Sequence, residues 1–278
     1  MKQMSNPRKL NKKNPLAHKG YHLYAMQRSG GHGIISWMCG SFDRTFLIEF
    51  LLANTNRVVI DDVIRENGFL YERVHNIKYA DLGEFGKNKA DCLIIKKERG
   101  KLSRHKKNGL KVVYKMKEAL NTRKFCVDEK NIVLLRSPHN TYASIIRGNW
   151  RLAHRPELFI ERWLEFAKEY TGETNYIKNP TLILFDKWFE DEEYRRDVAL
   201  NLCIEYSDIG LDYFVFEKSS FNNRDYDGRA SKMRVNTRWK EIVESKNTKK
   251  HVRENFFKVV KDPRIAMMTK KIFGDYPF

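Results

Sequence analysis

The sequence has few cysteines, and none stands in a closely spaced pair. The four cysteines are scattered over 278 residues without a C-x-x-C spacing: Cys39, Cys92, Cys126 and Cys203. Zinc fingers and disulfide scaffolds need closely spaced cysteines, so the spacing argues against both classes. We therefore predict no metal centre and expect a reducing compartment, the cytoplasm.

Long apolar runs are also missing. No run approaches the roughly 18 residues that a membrane-spanning helix requires. The N-terminal residues are basic but lack the apolar stretch of a secretory signal. We therefore expect neither a transmembrane segment nor a signal peptide. Apolar residues still make up 41% of the chain, which excludes a disordered protein and allows a sizeable core.

Acidic residues are nearly absent from two segments that carry most of the net charge of +18. Met1 to Lys19 holds six basic residues and no acidic one, and Lys96 to Lys117 holds ten basic residues and one acidic residue. Such segments attract nucleic acid, acidic glycans, anionic lipid or a highly phosphorylated cofactor, although a solvated tail and a solvated loop have the same pattern. We interpret residues 1–20 as a basic mobile tail and 21–278 as a single domain.

Short apolar runs alternate with segments of helical periodicity. Most runs are continuous, which is typical of strands covered on both faces of a parallel sheet. The predicted strands are Tyr21–Met26, Arg57–Ile60, Cys92–Lys96, Lys111–Lys115, Ile132–Leu135, Thr181–Phe185 and Tyr213–Phe216. Apolar side chains near i, i+4 spacing predict helices from Ile34 to Phe50, after Asn140, after Pro156 and around Val198. We therefore predict an α/β fold with three layers, a mainly parallel central sheet and helices on both faces.

The first predicted strand leads into a glycine-rich loop and then a helix. The loop residues are Arg28, Ser29, Gly30, Gly31, His32 and Gly33. Glycines let the backbone approach a ligand closely, and the free N–H groups of the helix N-terminus attract anions. No lysine occurs between Lys19 and Lys78, so this is not a Walker A loop. The pattern favours a phosphate or sulfate cradle, and a plain turn is the alternative.

A second strand–loop–helix unit follows about a hundred residues later. Arg136 stands where the strand Ile132–Leu135 ends, Asn140 is a candidate N-cap, and Ser144 lies eight residues after Arg136. Open α/β sheets bind ligands outside the carboxyl ends of their strands. Arg136 and Ser144 could therefore face one anion there. An ordinary salt bridge for Arg136 and a packing role for Ser144 remain the alternative.

The two loops together resemble those of sulfotransferases that use 3′-phosphoadenosine 5′-phosphosulfate, PAPS. Arg28–Gly31 resembles the family's 5′-phosphosulfate loop, and Arg136–Ser144 resembles its R-x-P-x-[D/N]-x-x-x-S motif for the 3′-phosphate. Residues Thr181–Phe189 resemble a later strand and turn of the family. Gly228-Arg229 followed by Trp239 loosely resembles its C-terminal basic loop. The resemblance spans roughly Tyr21 to Trp239 and implies a P-loop-like sulfotransferase architecture.

The resemblance implies transfer of a sulfuryl group from PAPS to a hydroxyl or amine, with release of 3′-phosphoadenosine 5′-phosphate, PAP. The first loop and Arg28 would hold the 5′-phosphosulfate and the charge that develops during transfer. Arg136, Ser144 and Arg229 would hold the remainder of the cofactor. The acceptor would be a glycan, including an acidic one, or a small molecule. Nucleic acid is not the expected partner.

The sequence departs from the family at the first loop and at the catalytic base. Gly31-His32 replaces the usual hydroxyl residues, and Tyr114–Lys117 occupies the place of the histidine found in small-molecule members. Glu98 and His32 are our candidates for the base, with Glu72 and His75 behind them. A P-loop nucleotide or small-molecule kinase, and a basic nucleic-acid-binding protein, are the competing interpretations of the whole chain.

Overall fold

The fold is seen in a computed structural model that describes residues 17–42, 44–51, 58–66, 69–77, 90–98, 126–208, 210–211 and 235–275. In the strands between 44 and 98 only the backbone is described, with the exception of Ile94. Several predictions lie outside the described residues: the tail up to residue 16, Arg229, the side chain of Glu98, most of the basic segment Lys96–Lys117, and the strands predicted at Lys111–Lys115 and Tyr213–Phe216.

The described residues contain seven strands in one sheet. They are β1 (Ala17–Ala25), β2 (Arg44–Leu51), β3 (Val58–Glu66), β4 (Phe69–Ile77), β5 (Ala90–Glu98), β6 (Cys126–Leu135) and β7 (Pro180–Leu184). Their order in the sheet is β3-β4-β2-β5-β1-β6-β7. All neighbours are parallel except β3 and β4, which are antiparallel at one edge. The predicted mainly parallel sheet is confirmed.

Helices cover both faces of this sheet. The α-helices are α1 (Gly31–Cys39), α2 (Pro138–Arg147), α3 (Pro156–Tyr170), α4 (Phe185–Glu190), α5 (Glu192–Leu202), α6 (Arg238–Glu244), α7 (Lys250–Val260) and α8 (Pro263–Phe273). A short 3₁₀ helix spans Arg151–His154.

Two hydrophobic cores result from the alternation of side chains along the strands. Tyr21 and Leu23 of β1 face one way and pack with α1, α4 and α5, including the buried Trp37 and Trp188. Tyr24 faces the other way and packs with the helices of the second face, α2, α3, α6, α7 and α8. The three-layer arrangement predicted from the sequence is therefore present.

The helix predicted from Ile34 to Phe50 is wrong in its second half. Helix α1 ends at Cys39, Gly40 caps it, and Phe46 and Phe50 belong to strand β2. The spacing of the phenylalanines satisfies a helix period, but the run from Thr45 to Leu51 is also rich in β-branched and aromatic residues that favour strands. Pairing of β2 between β4 and β5 decides the outcome.

Smaller differences concern element ends. Strand β1 begins at Ala17, four residues before the predicted start, and Phe185 begins α4 instead of ending β7. Ser137, not Asn140, is the N-cap of α2, because Pro138 takes the first helical position, where a missing N–H costs nothing. The sequence analysis predicts no strand at β4, because the apolar run Phe69–Tyr71 is short and is followed by the polar residues Glu72 and Arg73.

Candidate functional site

The two predicted loops lie side by side at the carboxyl edge of the sheet. Strand β1 ends at Ala25 and pairs there with Leu134 of β6, so the loops that follow the two strands start from adjacent positions. The chain leaves β1 toward β2 on one side of the sheet, whereas β6 is followed by β7 on the other side. This reversal makes the β1–β6 boundary a topological switch point, where open α/β sheets form ligand crevices.

The first loop turns sharply between β1 and α1. The backbone N–H and the hydroxyl of Ser29 both donate to the carbonyl of Met26, at 3.2 and 2.7 Å. Arg28 and Gly30 have positive φ values of 68° and 94°. A Cβ added to Gly30 would lie 2.2 Å from the ring of Phe185, so only glycine fits this close approach. This geometry explains why position 30 is a glycine. Gly31 and His32 lie in the first turn of α1.

Arg28 and Ser144 meet although 116 residues separate them in the chain. The Arg28 Nε donates to Ser144 Oγ at 3.2 Å, and the Arg28 guanidinium also lies 5.9 Å from the centre of the Trp150 ring. Arg238 donates from Nη1 to the same Ser144 Oγ at 3.0 Å. One buried hydroxyl thus accepts hydrogen bonds from two guanidinium groups, one from the first loop and one from helix α6.

Arg136 connects the two loops with a third segment, residues 235–238. Its Nη1 donates to the carbonyl of Arg28 at 3.2 Å, and its Nη2 donates to the carbonyl of Val235. The guanidinium lies 4.9 Å from the centre of the Phe185 ring. The carbonyl of Arg136 accepts from Trp163 Nε1 at 2.9 Å. Arg136 is therefore fixed on both its backbone and its side chain.

Asp186 at the start of α4 holds the second loop in place. Its carboxylate accepts from the backbone N–H of Ser137 at 2.7 Å and from Asn140 Nδ2 at 3.4 Å. Asn140 Nδ2 also donates to the carbonyl of Asn236 at 3.0 Å. Burial raises the pKa of Asp186, and Arg136 together with the hydrogen bonds from Ser137 and Asn140 opposes this rise. The residue keeps some exposed surface, but its carboxylate is directed at the buried loop.

The arginines make this edge of the sheet strongly positive. Arg238 is only 4% exposed, and burial, followed by the charges of Arg136, Arg28 and Arg147, holds its pKa well below the usual value. Glu241 is the acidic neighbour that acts in the opposite direction, and it pairs with Arg147 at 2.9 Å. A cluster of buried guanidinium groups lowers its free energy when an anion binds among them. The arrangement can therefore bind a phosphate or sulfate group.

The sheet register separates the candidates for a catalytic base. Glu98 is the last residue of β5, and its neighbour Lys97 pairs with Tyr24 near the end of β1, so Glu98 lies at the carboxyl edge beside the first loop. His32 lies in the first turn of α1 and is half-buried. In the register of the sheet, followed across β2 and β5, Glu72 is aligned with Gly20 of β1. Gly20 lies inside the sheet, so Glu72 does not lie at the carboxyl edge. His75 lies in the same strand as Glu72, three residues further on.

Comparison with known proteins shows a structural likeness and no family match. No family model and no curated protein matches the chain. The solved structure of the Sulfotransferase Domain from the Synechococcus PCC 7002 Olefin Synthase is similar over 99% of this chain and 100% of that chain, at 12% sequence identity and a TM-score of 0.44.

The structure thus brings together Arg28, Ser29, Gly30, Arg136 and Ser144 from the sequence prediction. Arg238, Asp186 and Trp163 were not predicted as site residues. Arg238 immediately precedes the Trp239 that the sequence had singled out, but no spacing rule indicates that its side chain reaches Ser144. In the described residues no group of acidic, cysteine or histidine side chains is arranged to hold a metal ion. No helix among those residues is long and apolar enough to cross a membrane.

Proposed function

We propose that this protein is a sulfotransferase that moves a sulfuryl group from PAPS to a hydroxyl or amine of an acceptor. The observation that supports this most is the contact between Arg28 and Ser144 at 3.2 Å. The two motifs that resemble the 5′-phosphosulfate and 3′-phosphate loops of PAPS-dependent sulfotransferases meet at one point of the sheet. A P-loop kinase would need a lysine followed directly by a magnesium-binding hydroxyl residue, and the first loop contains no lysine.

The residues present fit a donor with anionic groups at two positions. Gly30 leaves room for nothing larger than hydrogen beside Phe185, which keeps the first loop tight against the N-terminus of α1. Arg28 and the backbone N–H groups of Gly31 to Gly33 would hold the 5′-phosphosulfate. Arg136, Ser144 and Arg238 would hold the 3′-phosphate, and Arg229 remains a predicted contributor. When bound, PAPS supplies an activated sulfuryl group, and its loss leaves PAP.

The chain's own task is then alignment, charge stabilisation and proton removal. A transferred sulfuryl group forms a bond to the acceptor atom while its bond to the phosphate oxygen breaks, so negative charge grows on that oxygen. Arg28 stays protonated and stabilises this charge as a fixed cation. Glu98, placed at the edge of the sheet by the register of β5, is our candidate to accept the acceptor's proton, and His32 is the second.

Entry of the donor requires part of the structure to move. Arg136, Ser144 and Arg238 are only 3%, 2% and 4% exposed. Residues 235–238 contact Arg136 through the carbonyl of Val235 and Ser144 through Arg238. We expect this segment to move away from Arg136 and Ser144 when the donor enters. The acceptor remains a glycan or a small molecule; nucleic acid is not the proposed acceptor.

The test compares binding of PAP and AMP to the wild-type protein by isothermal titration calorimetry. PAP carries the 3′-phosphate that Arg136, Ser144 and Arg238 would recognise, and AMP lacks it. Charge-assisted hydrogen bonds contribute about 1.5–3 kcal/mol each, so PAP should bind at least about tenfold more tightly. Equal affinity for the two nucleotides would contradict the proposal and favour the kinase interpretation. Binding of neither would contradict both.

A further inference from the structure

Helix α2 contains a buried hydroxyl for which the residues that the structure describes provide no hydrogen bond. Thr141 is 1% exposed, and its Oγ1 has no hydrogen-bond partner within the described part of the chain. Its backbone N–H donates normally to the carbonyl of Ser137 at 3.0 Å, so the helix itself is intact at this point. A threonine in a helix commonly bonds its hydroxyl to a carbonyl one turn earlier, and Thr141 does not.

The position of Thr141 in the helix relates this hydroxyl to the arginine cluster, which consists of Arg28, Arg136 and Arg238. Thr141 precedes Ser144 by three residues, so the two lie on adjacent positions of one helix face, with Cβ atoms about 5–6 Å apart. Ser144 Oγ on that face accepts hydrogen bonds from Arg28 and Arg238. Ser137, four residues before Thr141, caps the start of the same helix. A second hydroxyl therefore stands one turn closer to the helix N-terminus, where anions are favoured.

A buried hydroxyl without a partner costs free energy in the ligand-free protein. Because of that cost, such groups in native structures call for an explanation. A partner gained when a ligand binds is one such explanation. At the proposed 3′-phosphate site the arginines supply positive charge, and Ser144 supplies a hydroxyl.

We propose that Thr141 is an additional ligand-binding residue, whose hydroxyl donates to the phosphate group that Ser144 binds. This rests on the proposed function, because that phosphate is the 3′-phosphate of PAPS and PAP. In the ligand-free state the Thr141 hydroxyl has no partner among the described residues, and it gains its acceptor when the nucleotide binds. Removal of this hydroxyl should therefore leave the ligand-free protein equally or more stable but weaken its binding of the nucleotide.

The test uses Thr141→Val, which replaces the hydroxyl by a methyl group of similar size. Thermal unfolding of the ligand-free protein should show a melting temperature equal to or above that of the wild type, because the variant loses only an unpaired polar group. Calorimetry should show PAP bound about tenfold more weakly or worse, with AMP binding unchanged. Thr141→Ser, which keeps the hydroxyl, should bind PAP like the wild type.

Thr269 provides a matched control. It is also buried in a helix, 3% exposed, and its Oγ1 likewise has no partner among the residues described. It belongs to α8, away from the arginine cluster, so Thr269→Val should match Thr141→Val in stability and bind PAP like the wild type.

Four results would overturn the inference. Wild-type affinity of Thr141→Val for PAP, in a wild-type protein that does prefer PAP over AMP, would remove Thr141 from the site and leave the proposed function intact. Equal losses for PAP and AMP would place the hydroxyl away from the 3′-phosphate. A lower melting temperature for Thr141→Val would show that the hydroxyl has a structural partner. Failure of the wild type to bind PAP would overturn the proposed function and this inference together.

Discussion

The carboxylate of Asp186 lies 2.7 Å from the backbone nitrogen of Ser137 and accepts its hydrogen bond. This contact joins the first turn of α4 to the N-cap of α2 across 49 residues of chain. It satisfies an N–H group at the start of α2 that has no acceptor inside the helix. It also holds the loop that presents Arg136.

Replacement of Asp186 by alanine should therefore destabilise the protein. The change leaves the N–H of Ser137 and one contact of Asn140 without the charged acceptor, and hydrogen bonds to charged groups contribute about 1.5–3 kcal/mol. The free energy of unfolding, measured by urea denaturation, should fall by about that amount. Lys187→Ala changes the exposed neighbouring residue and serves as the control. An unchanged unfolding midpoint for Asp186→Ala would show that the contact does not hold the loop.

Gly30 should tolerate no side chain. Gly30→Ala places a methyl group 2.2 Å from the ring of Phe185 at a φ of +94°, so the loop or the ring must shift. Gly172 has a similar φ of +75° but nothing within 4 Å of an added Cβ. Gly172→Ala should cost only the backbone penalty, about 1–2 kcal/mol. Gly30→Ala should cost clearly more and weaken PAP binding, as followed by thermal unfolding and calorimetry. Similar losses in the two variants would argue against the close packing of the first loop.

His139 should make the protein sensitive to mild acid. It is 4% exposed, and burial lowers its pKa from 6.5 to about 4. The unfolded chain therefore binds a proton at a higher pH than the folded one. The contribution to stability is complete above pH 6.5 and is lost progressively as the pH falls toward 4, by about 3 kcal/mol in all.

The measurement is urea unfolding of the wild type and His139→Gln between pH 7 and pH 4. The variant should lose less stability than the wild type over this interval. His154→Gln, at an exposed histidine, is the control. Parallel curves for the wild type and His139→Gln would mean that His139 is protonated equally in both states.

Arg28 should matter more for turnover than for stability, if the proposed function is correct. Arg28→Ala removes the fixed cation from the first loop, and loss of one preorganised electrostatic group typically slows turnover about 10²–10³-fold. The release of PAP from PAPS measures this. Arg264→Ala removes an exposed arginine that pairs with Glu161 at the surface and should leave the rate unchanged. A wild-type rate in Arg28→Ala would exclude Arg28 from the reaction.

Local patterns in the sequence are sufficient to predict the layers of the fold and the positions of the two loops. The continuous runs of β1 and β6 and the glycines after β1 are short-range features, and their structural meaning depends on few other residues. Strand β2 was not found because Phe42, Phe46 and Phe50 satisfy a helical period while the residues between them favour a strand. Only pairing with neighbouring strands distinguishes the two possibilities.

The composition of the arginine cluster could be predicted only in part. Arg136 directly follows strand β6 and Ser144 lies in helix α2 eight residues later, so their proximity follows from local geometry. Arg238 reaches Ser144 across 94 residues, and Trp163 reaches the carbonyl of Arg136 across 27. Such contacts depend on how helices pack on the sheet, and no local pattern in the sequence encodes them.

The segment at residues 235–238 also sets the time at which this site can form during protein synthesis. Ribosomes make a chain from its N-terminus, and the strands β1 and β6 leave the ribosome long before Val235 does. Until then, Arg136 lacks the carbonyl of Val235, Asn140 lacks that of Asn236, and Ser144 lacks Arg238. The sheet can assemble on the growing chain, but the buried arginine cluster is completed only when more than four-fifths of the protein has been translated.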